Sequence, residues 1–311
     1  MSEQTKISWC DSTINFWEGC TKISAGCSNC YAEARDKRFT GGKLWGAGAP
    51  RRKSKSAVKA AIAMNRKPWI CDQNGEAFSE DELPGYCMGF SEATFHRRRI
   101  FSLSLGDWLD DEVPIEWLAE MLDTIRQCDQ VTWILCSKRP ENFNRRMDLV
   151  LQFAKGHHMD GLRNFILCWA DGEPEDGYKI PKNIILLTSV ENQEQADKRI
   201  PQLLAIPAAC RGLSLEPLLG EVNLMHVQTG SEKFKDGWAL AVGLQWIIVG
   251  AESGSQRREC KLSWVRSLAD QGKSSGVATF VKQIHDSEGL LVKDVSEFPK
   301  DLQIQEWPKG F

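Results

Sequence analysis

Cys20, Cys27 and Cys30 stand in the run Gly19-Cys20-Thr21-Lys22-Ile23-Ser24-Ala25-Gly26-Cys27-Ser28-Asn29-Cys30-Tyr31, a C-x6-C-x2-C pattern. Three thiolates on one short loop suit three corners of a cubic iron–sulfur cluster. Such a cluster takes four ligands, so one iron would stay open to another group. Gly19 and Gly26 supply the backbone freedom and close approach that a wrapping loop needs. A zinc knuckle and a set of buried free thiols are the competing readings. Structural zinc wants four protein ligands, there is no second C-x2-C, and Cys10 is the nearest candidate for a fourth.

Other groups able to do chemistry fall at the ends of short apolar runs. The run 100–105 ends in Gly106-Asp107, and 131–136 ends in Ser137-Lys138-Arg139-Pro140. The run 184–188 ends in Ser189-Val190-Glu191-Asn192, and 212–215 ends in Glu216-Pro217. The run 246–249 ends in Gly250-Ala251-Glu252-Ser253-Gly254, and 278–281 ends in Lys282-Gln283. Near-continuous apolar strands of this length suit a buried parallel sheet. In barrels of such strands the chemistry collects at the carboxyl ends. Unpaired buried charge is costly, so a charge at each of six successive strand ends points to a polar active-site rim beside the cysteine loop.

Helical patterns lie between the runs. Pro114 suits a first helical turn, and Leu118, Met121, Leu122 and Ile125 follow at helical spacing. Ala196, Ile200, Leu203 and Leu204 repeat that spacing. Ser263 is placed to cap a helix that carries Trp264, Val265 and Leu268 and stops near Gly272. Alternating strand and helix predicts an α/β fold. With an amino-terminal strand around 7–16, six to seven parallel strands make a full or partial (β/α) barrel. The expected organisation is a single domain over 1–311, with insertions at about 40–99 and 146–181 and a short C-terminal tail from about 290. No G-x-G-x-x-G follows a strand, which excludes a dinucleotide fold. Cys71 and Cys87 fall in the first insertion as a thin candidate for a second metal, and His157-His158 in the second reads as surface.

Eleven scattered cysteines, an odd count and no signal peptide point to a reducing cytoplasm, with thiols used for metal and packing. No apolar run approaches the ~18 residues of a membrane span, so no membrane is expected. The net charge of −3 excludes a polycation, but Arg51-Arg52-Lys53 with Lys55 and Lys59, and Arg97-Arg98-Arg99, are local basic clusters. They are candidates for a nucleic-acid or phosphate surface. Some of the twelve tryptophans are available to stack on bases.

The cysteine loop and strand ends together resemble a phage-associated family related to the radical S-adenosylmethionine (SAM) enzymes. The matching stretches are 7–13, 19–33, 137–140, 189–192, 216–220 and 249–254. The usual radical SAM spacing is C-x3-C-x2-C; here the first gap is six, and Asn29 stands where an aromatic usually precedes the third cysteine. The resemblance implies a [4Fe-4S] cluster on Cys20, Cys27 and Cys30, with SAM chelating the open iron. It also implies an electron donor such as flavodoxin or ferredoxin, and reductive cleavage of SAM to a 5′-deoxyadenosyl radical that takes hydrogen from substrate. By strand position, Asp107 would accept the SAM ammonium, and Lys138 or Asn192 would bind its carboxylate. Ser189, Glu191 or Glu216 would meet the ribose, and Tyr31 the adenine. Glu252, Lys282 and Glu216 would face substrate.

Phage association, basic patches and spare tryptophans point to a base in DNA or a nucleotide, with rearrangement of a substituent on a modified pyrimidine as the leading reaction. A radical enzyme acting on a small molecule or peptide is the second hypothesis. A non-catalytic iron–sulfur nucleic-acid-binding protein is the third.

Overall fold

The apolar runs pair side by side in chain order. In this computed structural model, which describes residues 5–83, 94–171, 180–227 and 243–311, they build one eight-stranded sheet. Its strands are β1 (Ser12–Thr13), β2 (Arg99–Ser102), β3 (Thr132–Ser137), β4 (Ile184–Ser189), β5 (Cys210–Leu215), β6 (Trp246–Gly250), β7 (Ala278–His285) and β8 (Leu291–Val292). Neighbours from β1 to β7 are all parallel, and β8 folds back antiparallel on β7. The sheet curls into a half-barrel.

Period-two alternation gives each strand two apolar faces. On the concave face Trp9, Phe101, Ile134, Ile185, Trp246, Ile248 and Phe280 fill the interior. On the convex face Trp133, Leu135, Leu186, Leu213 and Ile247 pack with the helices in the larger core. The C-terminal chain completes the interior floor. Val281 N–H donates to the Ile304 carbonyl at 2.8 Å and Glu306 N–H to that of Thr279 at 2.9 Å, along the edge of β7. Trp307 then donates through Nε1 to the Trp9 carbonyl at 3.3 Å and meets Phe280 edge-on. The expected tail from about 290 is therefore part of the wall.

The helices are α1 (Tyr31–Thr40), α2 (Ala57–Arg66), α3 (Ile115–Gln127), α4 (Phe143–Gly156), α5 (Asp160–Asp171), α6 (Gln193–Ala205) and α7 (Leu262–Ser275). The expected apolar stripes of α3 and α6 are buried. Two helix boundaries differ from expectation. α7 has Lys261, not Ser263, at its N-cap, and it runs past Gly272 to stop at the left-handed Gly276. Gly272 serves packing instead: a Cβ there would lie 2.3 Å from Thr279 Oγ1.

The stretch expected as a second insertion begins inside α4, which buries Phe143, Met147, Val150 and Ala154 as the crossover from β3 to β4. α5 is added against α3 and α4. His157 and His158 are exposed. The first insertion holds α2, the strand Arg52–Lys53 that pairs as a ribbon with Trp17–Glu18 before it, and a three-stranded sheet of Ala77–Phe78, Trp69–Cys71 and Phe95–Arg97. Cys71 is buried, and Cys87 lies outside the described residues. No helix among the described residues is long and apolar enough to cross a membrane.

Candidate metal centre and active-site cavity

The cysteine loop lies over the carboxyl ends of the strands and is tied to them by three carboxylates. The first tie starts at Asp107, after β2. Its Oδ1 accepts from Ser137 Oγ (2.7 Å) and the Leu109 amide (3.0 Å). Its Oδ2 accepts from the Lys138 amide (3.0 Å) and Arg139 Nη1 (2.9 Å). Arg139 passes the support on: its Nη2 donates to the Thr21 carbonyl at 2.5 Å and its Nη1 to Cys20 Sγ at 3.6 Å. Buried Arg51 reinforces this limb, donating to Thr21 Oγ1 at 2.8 Å while ion-paired with Asp110 at the same distance.

The second tie is Glu191, after β4. Fully buried, it pairs with Arg199 (Nη1 to Oε2, 2.8 Å) and accepts the Gly26 amide on Oε1 at 3.2 Å. Burial pushes this carboxyl up, but Arg199, Ser24, Lys138 and the Gly26 amide outweigh it and hold it below its ordinary value. The third is Glu252, after β6. Its Oε2 accepts from Asn29 Nδ2 (3.1 Å), the Arg258 amide (2.9 Å) and Arg258 Nε (2.9 Å), and Oε1 pairs with Arg258 Nη2. Arg258 Nη1 donates onward to the Ala25 carbonyl at 3.0 Å. Asn29 also donates to the Gln256 carbonyl at 2.6 Å and so anchors the loop from a second side.

Beneath the loop is a cavity of about 480 Å³, within the ~300–1,000 Å³ range of small-molecule sites. Cys20, Cys27, Cys30, Tyr31, Lys138, Ser189, Glu216 and Lys282 all line it. Asp107 and Glu252 also reach its wall, but every oxygen they carry is already engaged. In the expected roles of Asp107 on an ammonium and Glu252 on substrate, a ligand would compete with these partners for the same oxygens. Glu191 and Asn192 lie outside the lining. Asn192 caps α6, accepting the Gln195 amide at 3.0 Å, so neither is positioned to touch a ligand.

The groups left to face a ligand are mostly cationic. Lys138 Nζ donates to Ser189 Oγ at 3.0 Å. Burial pulls Lys138 down, but the Cys136 and Cys27 sulfurs in their ionised form, with Glu191, outweigh it and hold the ammonium above its ordinary value. Lys282 Nζ pairs with Glu216 Oε1 at 2.8 Å, and Trp9 Nε1 donates to Glu216 Oε2 at 3.3 Å. The β6–β7 ladder skips a residue at Lys282, and both Lys282 and Gln283 reach the cavity from this bulge. Gly250 leaves room for Glu216, since a Cβ there would lie 2.7 Å from its Oε1. Lys6, Lys22 and Lys293 also line the cavity; among the described residues Lys6, Lys138 and Lys293 have no carboxylate partner within salt-bridge distance.

Cys20 and Cys30 are held protonated. Burial and Asp107 push Cys20 up to about 12 against the pull of Arg139. Burial raises Cys30, while the Glu33 and Ala32 amides of the first turn of α1 draw it down. Cys20 Sγ turns to the Thr21 carbonyl at 3.5 Å and Cys27 Sγ to Ser24 Oγ at 3.9 Å. Among the described residues no three His, Cys, Asp or Glu side chains are gathered at one metal position. Cys20, Cys27 and Cys30 are thiols, the donor type that iron–sulfur clusters use, and all three open on the same cavity. Cys10 does not line that cavity; it is buried in the interior cluster below.

This chain belongs to a family of proteins of unknown function, DUF5131. The family model matches residues 4–304, which covers the loop, every strand of the half-barrel and the cavity lining. No curated protein and no solved structure matches the chain.

Sequence reasoning passed over Arg258 and Arg199, and read Arg51 as part of a surface cluster. Each lies away from the strand ends in sequence, and only the fold brings it to a carboxylate. The basic clusters read from sequence are split: Arg52, Lys53, Lys55, Lys59 and Arg97 are exposed, and three arginines are internal. Arg51 is buried against Asp110, Arg98 is buried, and Arg99 is buried against Asp11 and lies over the Trp307 ring at 4.2 Å.

Proposed function

We propose that this chain is a radical SAM-type iron–sulfur enzyme acting on a nucleic-acid base, in DNA or as a nucleotide. The observation that carries the reading is the cysteine loop itself. Its three thiols open on one cavity, and three strand-end carboxylates hold the loop in place. Cys20, Cys27 and Cys30 would hold a [4Fe-4S] cluster after rotating from their present partners. When bound, the cluster and SAM supply one-electron reduction and a carbon radical able to take hydrogen from an unactivated position.

The chain's own residues divide the remaining work. Lys138, steadied by Ser189, is the cation for the SAM carboxylate, and Tyr31 at the mouth is the aromatic for adenine. Tyr31 is oriented by its hydroxyl, which donates to the Ser104 carbonyl at 2.5 Å. Lys282 and Glu216 sit across the cavity as a polar pair for substrate. The surplus of lysines over free carboxylates favours an anionic substrate, as a phosphate-bearing nucleotide is.

The test is anaerobic reconstitution with iron and sulfide, followed by dithionite reduction with SAM. The expected product is brown protein with about four irons per chain that releases 5′-deoxyadenosine, with Cys27→Ala losing both properties. One zinc per chain and no iron would overturn the reading. Iron without SAM cleavage would move the protein to the non-catalytic class.

A further inference from the structure

Helix α1 carries a surface that the cavity does not use. Phe39, near its end, is 65 % exposed. The guanidinium carbons of Arg35 and Arg38 lie 5.6 and 5.2 Å from the centre of its ring. A lone exposed phenylalanine needs no explanation. A ring flanked by two guanidiniums is a flat, cationic surface of the kind on which bases stack. Arg35 is also tied to Glu18 at 3.3 Å, which fixes its position. Among the described residues Arg38 and the exposed Lys43 beyond the helix have no carboxylate partner within salt-bridge distance.

The position of α1 connects this surface to the cavity. The helix begins at Tyr31, in the cavity wall and next to Cys30. At about 1.5 Å per residue, Phe39 stands ~12 Å along the axis, a few stacked nucleotides away. Lysines without a carboxylate partner among the described residues lie at both ends of this path, Lys6 and Lys293 at the cavity and Lys43 beyond α1, with Arg38 on the helix; Lys22 and Arg35 between them are paired with Glu33 and Glu18.

We propose that α1 is a docking track for single-stranded nucleic acid, with a base stacked on Phe39 and phosphates on Arg38 and Lys43 while a nearby nucleotide enters the cavity. The inference rests on the nucleic-acid reading of the cavity and narrows it: the substrate is a polymer and not a free nucleotide. An acidic electron-donor protein would account for the charge on α1 but not for the lysines lining the cavity, whereas one polyanion accounts for both. A single strand is required because bases inside a duplex have no free face to offer Phe39.

The test is a fluorescence-anisotropy titration with a short labelled oligothymidylate, using wild-type protein, Phe39→Ala and Arg38→Glu. Both side chains are exposed, and equal melting temperatures check that the fold is intact. Wild-type protein should bind with an affinity that falls linearly on a log–log plot against salt, and thymidine monophosphate should compete poorly. Phe39→Ala should weaken binding about tenfold. Arg38→Glu should weaken it and make the salt slope shallower by about 0.7 for each phosphate it no longer neutralises. Equal binding by Phe39→Ala and wild type overturns the track. So does slower reduction of Arg38→Glu by flavodoxin with oligonucleotide binding unchanged, which would make α1 a protein-docking face. Iron content and SAM cleavage are measured on the same preparations. Protein that cleaves SAM but binds no oligonucleotide overturns the track alone. Protein that binds through Phe39 but takes up no iron overturns the cluster reading and leaves the track standing.

Discussion

Glu191, at the end of β4, accepts the Gly26 amide on one carboxylate oxygen at 3.2 Å while Arg199 donates to the other at 2.8 Å. The carboxylate is thus a rivet between the sheet and the cysteine loop. A Cβ on Gly26 would lie 3.0 Å from the Glu191 carboxyl carbon, so any side chain there makes the carboxylate or the loop give by a few tenths of an ångström.

Removing the rivet should cost both stability and metal. Glu191→Ala leaves Arg199 buried without its partner, a loss of about 3–5 kcal/mol for a broken buried pair, readable from the urea midpoint. Gly26→Ala should cost less in stability, because only the loop must shift, yet should lower iron retention after reconstitution. Full iron in Gly26→Ala would show that the loop's seat on Glu191 is not what presents Cys27 and Cys30.

The same carboxylates set a pH limit. Glu191 and Glu252 both stand below their ordinary 4.5: burial raises each, and Arg199 for the first and Arg258 for the second outweigh it. A carboxyl depressed in the folded state binds its proton more readily when unfolded. The stability it contributes is present above pH 4.5 and is lost as pH falls through the folded value. Chemical denaturation midpoints should therefore fall on the acid side of 4.5, and Glu252→Gln should show a shallower acid decline from a lower plateau. An acid limb identical in the two proteins would show that Glu252 is not among the titrating groups.

Asp107 and Lys138 are neighbours in the site with separable roles. Asp107 holds Ser137, Lys138 and Arg139 in place, so Asp107→Asn should destabilise the Cys20 limb and lower iron occupancy. Lys138→Met should keep the fold and the iron while weakening SAM binding about ten- to a hundredfold, as removal of a charge-assisted hydrogen bond worth roughly 1.5–3 kcal/mol requires. Calorimetric SAM titration of the two iron-loaded variants separates them. Normal iron in Asp107→Asn with weakened SAM binding would restore a direct contact between Asp107 and the ligand.

How much of this was legible in the sequence depended on whether the signal was local. The six apolar runs and their charged ends were readable, because a buried parallel strand is a continuous apolar stretch with an abrupt stop. The stripe of α4, set by Phe143, Met147, Val150 and Ala154, was equally local but was hidden beside the Arg145-Arg146 pair. The direction in which each strand-end charge points was not readable. Asp107, Glu191 and Glu252 look alike in sequence to Glu216, yet they turn to arginines and to the cysteine loop. Their partners Arg139, Arg199 and Arg258 lie 32, 8 and 6 residues away, at separations that follow no periodic rule. A run of arginines in the sequence says nothing of burial, and Arg51, Arg98 and Arg99 all proved internal.

Among the described residues, Glu216 and Lys282 are the one strand-end ion pair whose two members both line the cavity without holding the cysteine loop. Lys282 reaches Glu216 from the bulge of β7, and Trp9 donates to the other oxygen. If the pair serves substrate and not the cluster, Lys282→Met, Glu216→Gln and the double variant should all keep iron and should all release 5′-deoxyadenosine with SAM alone. Stability should report the pairing: the single changes each leave a charge facing an apolar or neutral partner, so the double variant should be more stable than the two singles predict by about 0.5–3 kcal/mol. A double-mutant cycle in urea measures that coupling. SAM turnover lost in Lys282→Met but kept in Glu216→Gln would instead place Lys282 on SAM itself, and Lys138 would then be the cation left for substrate.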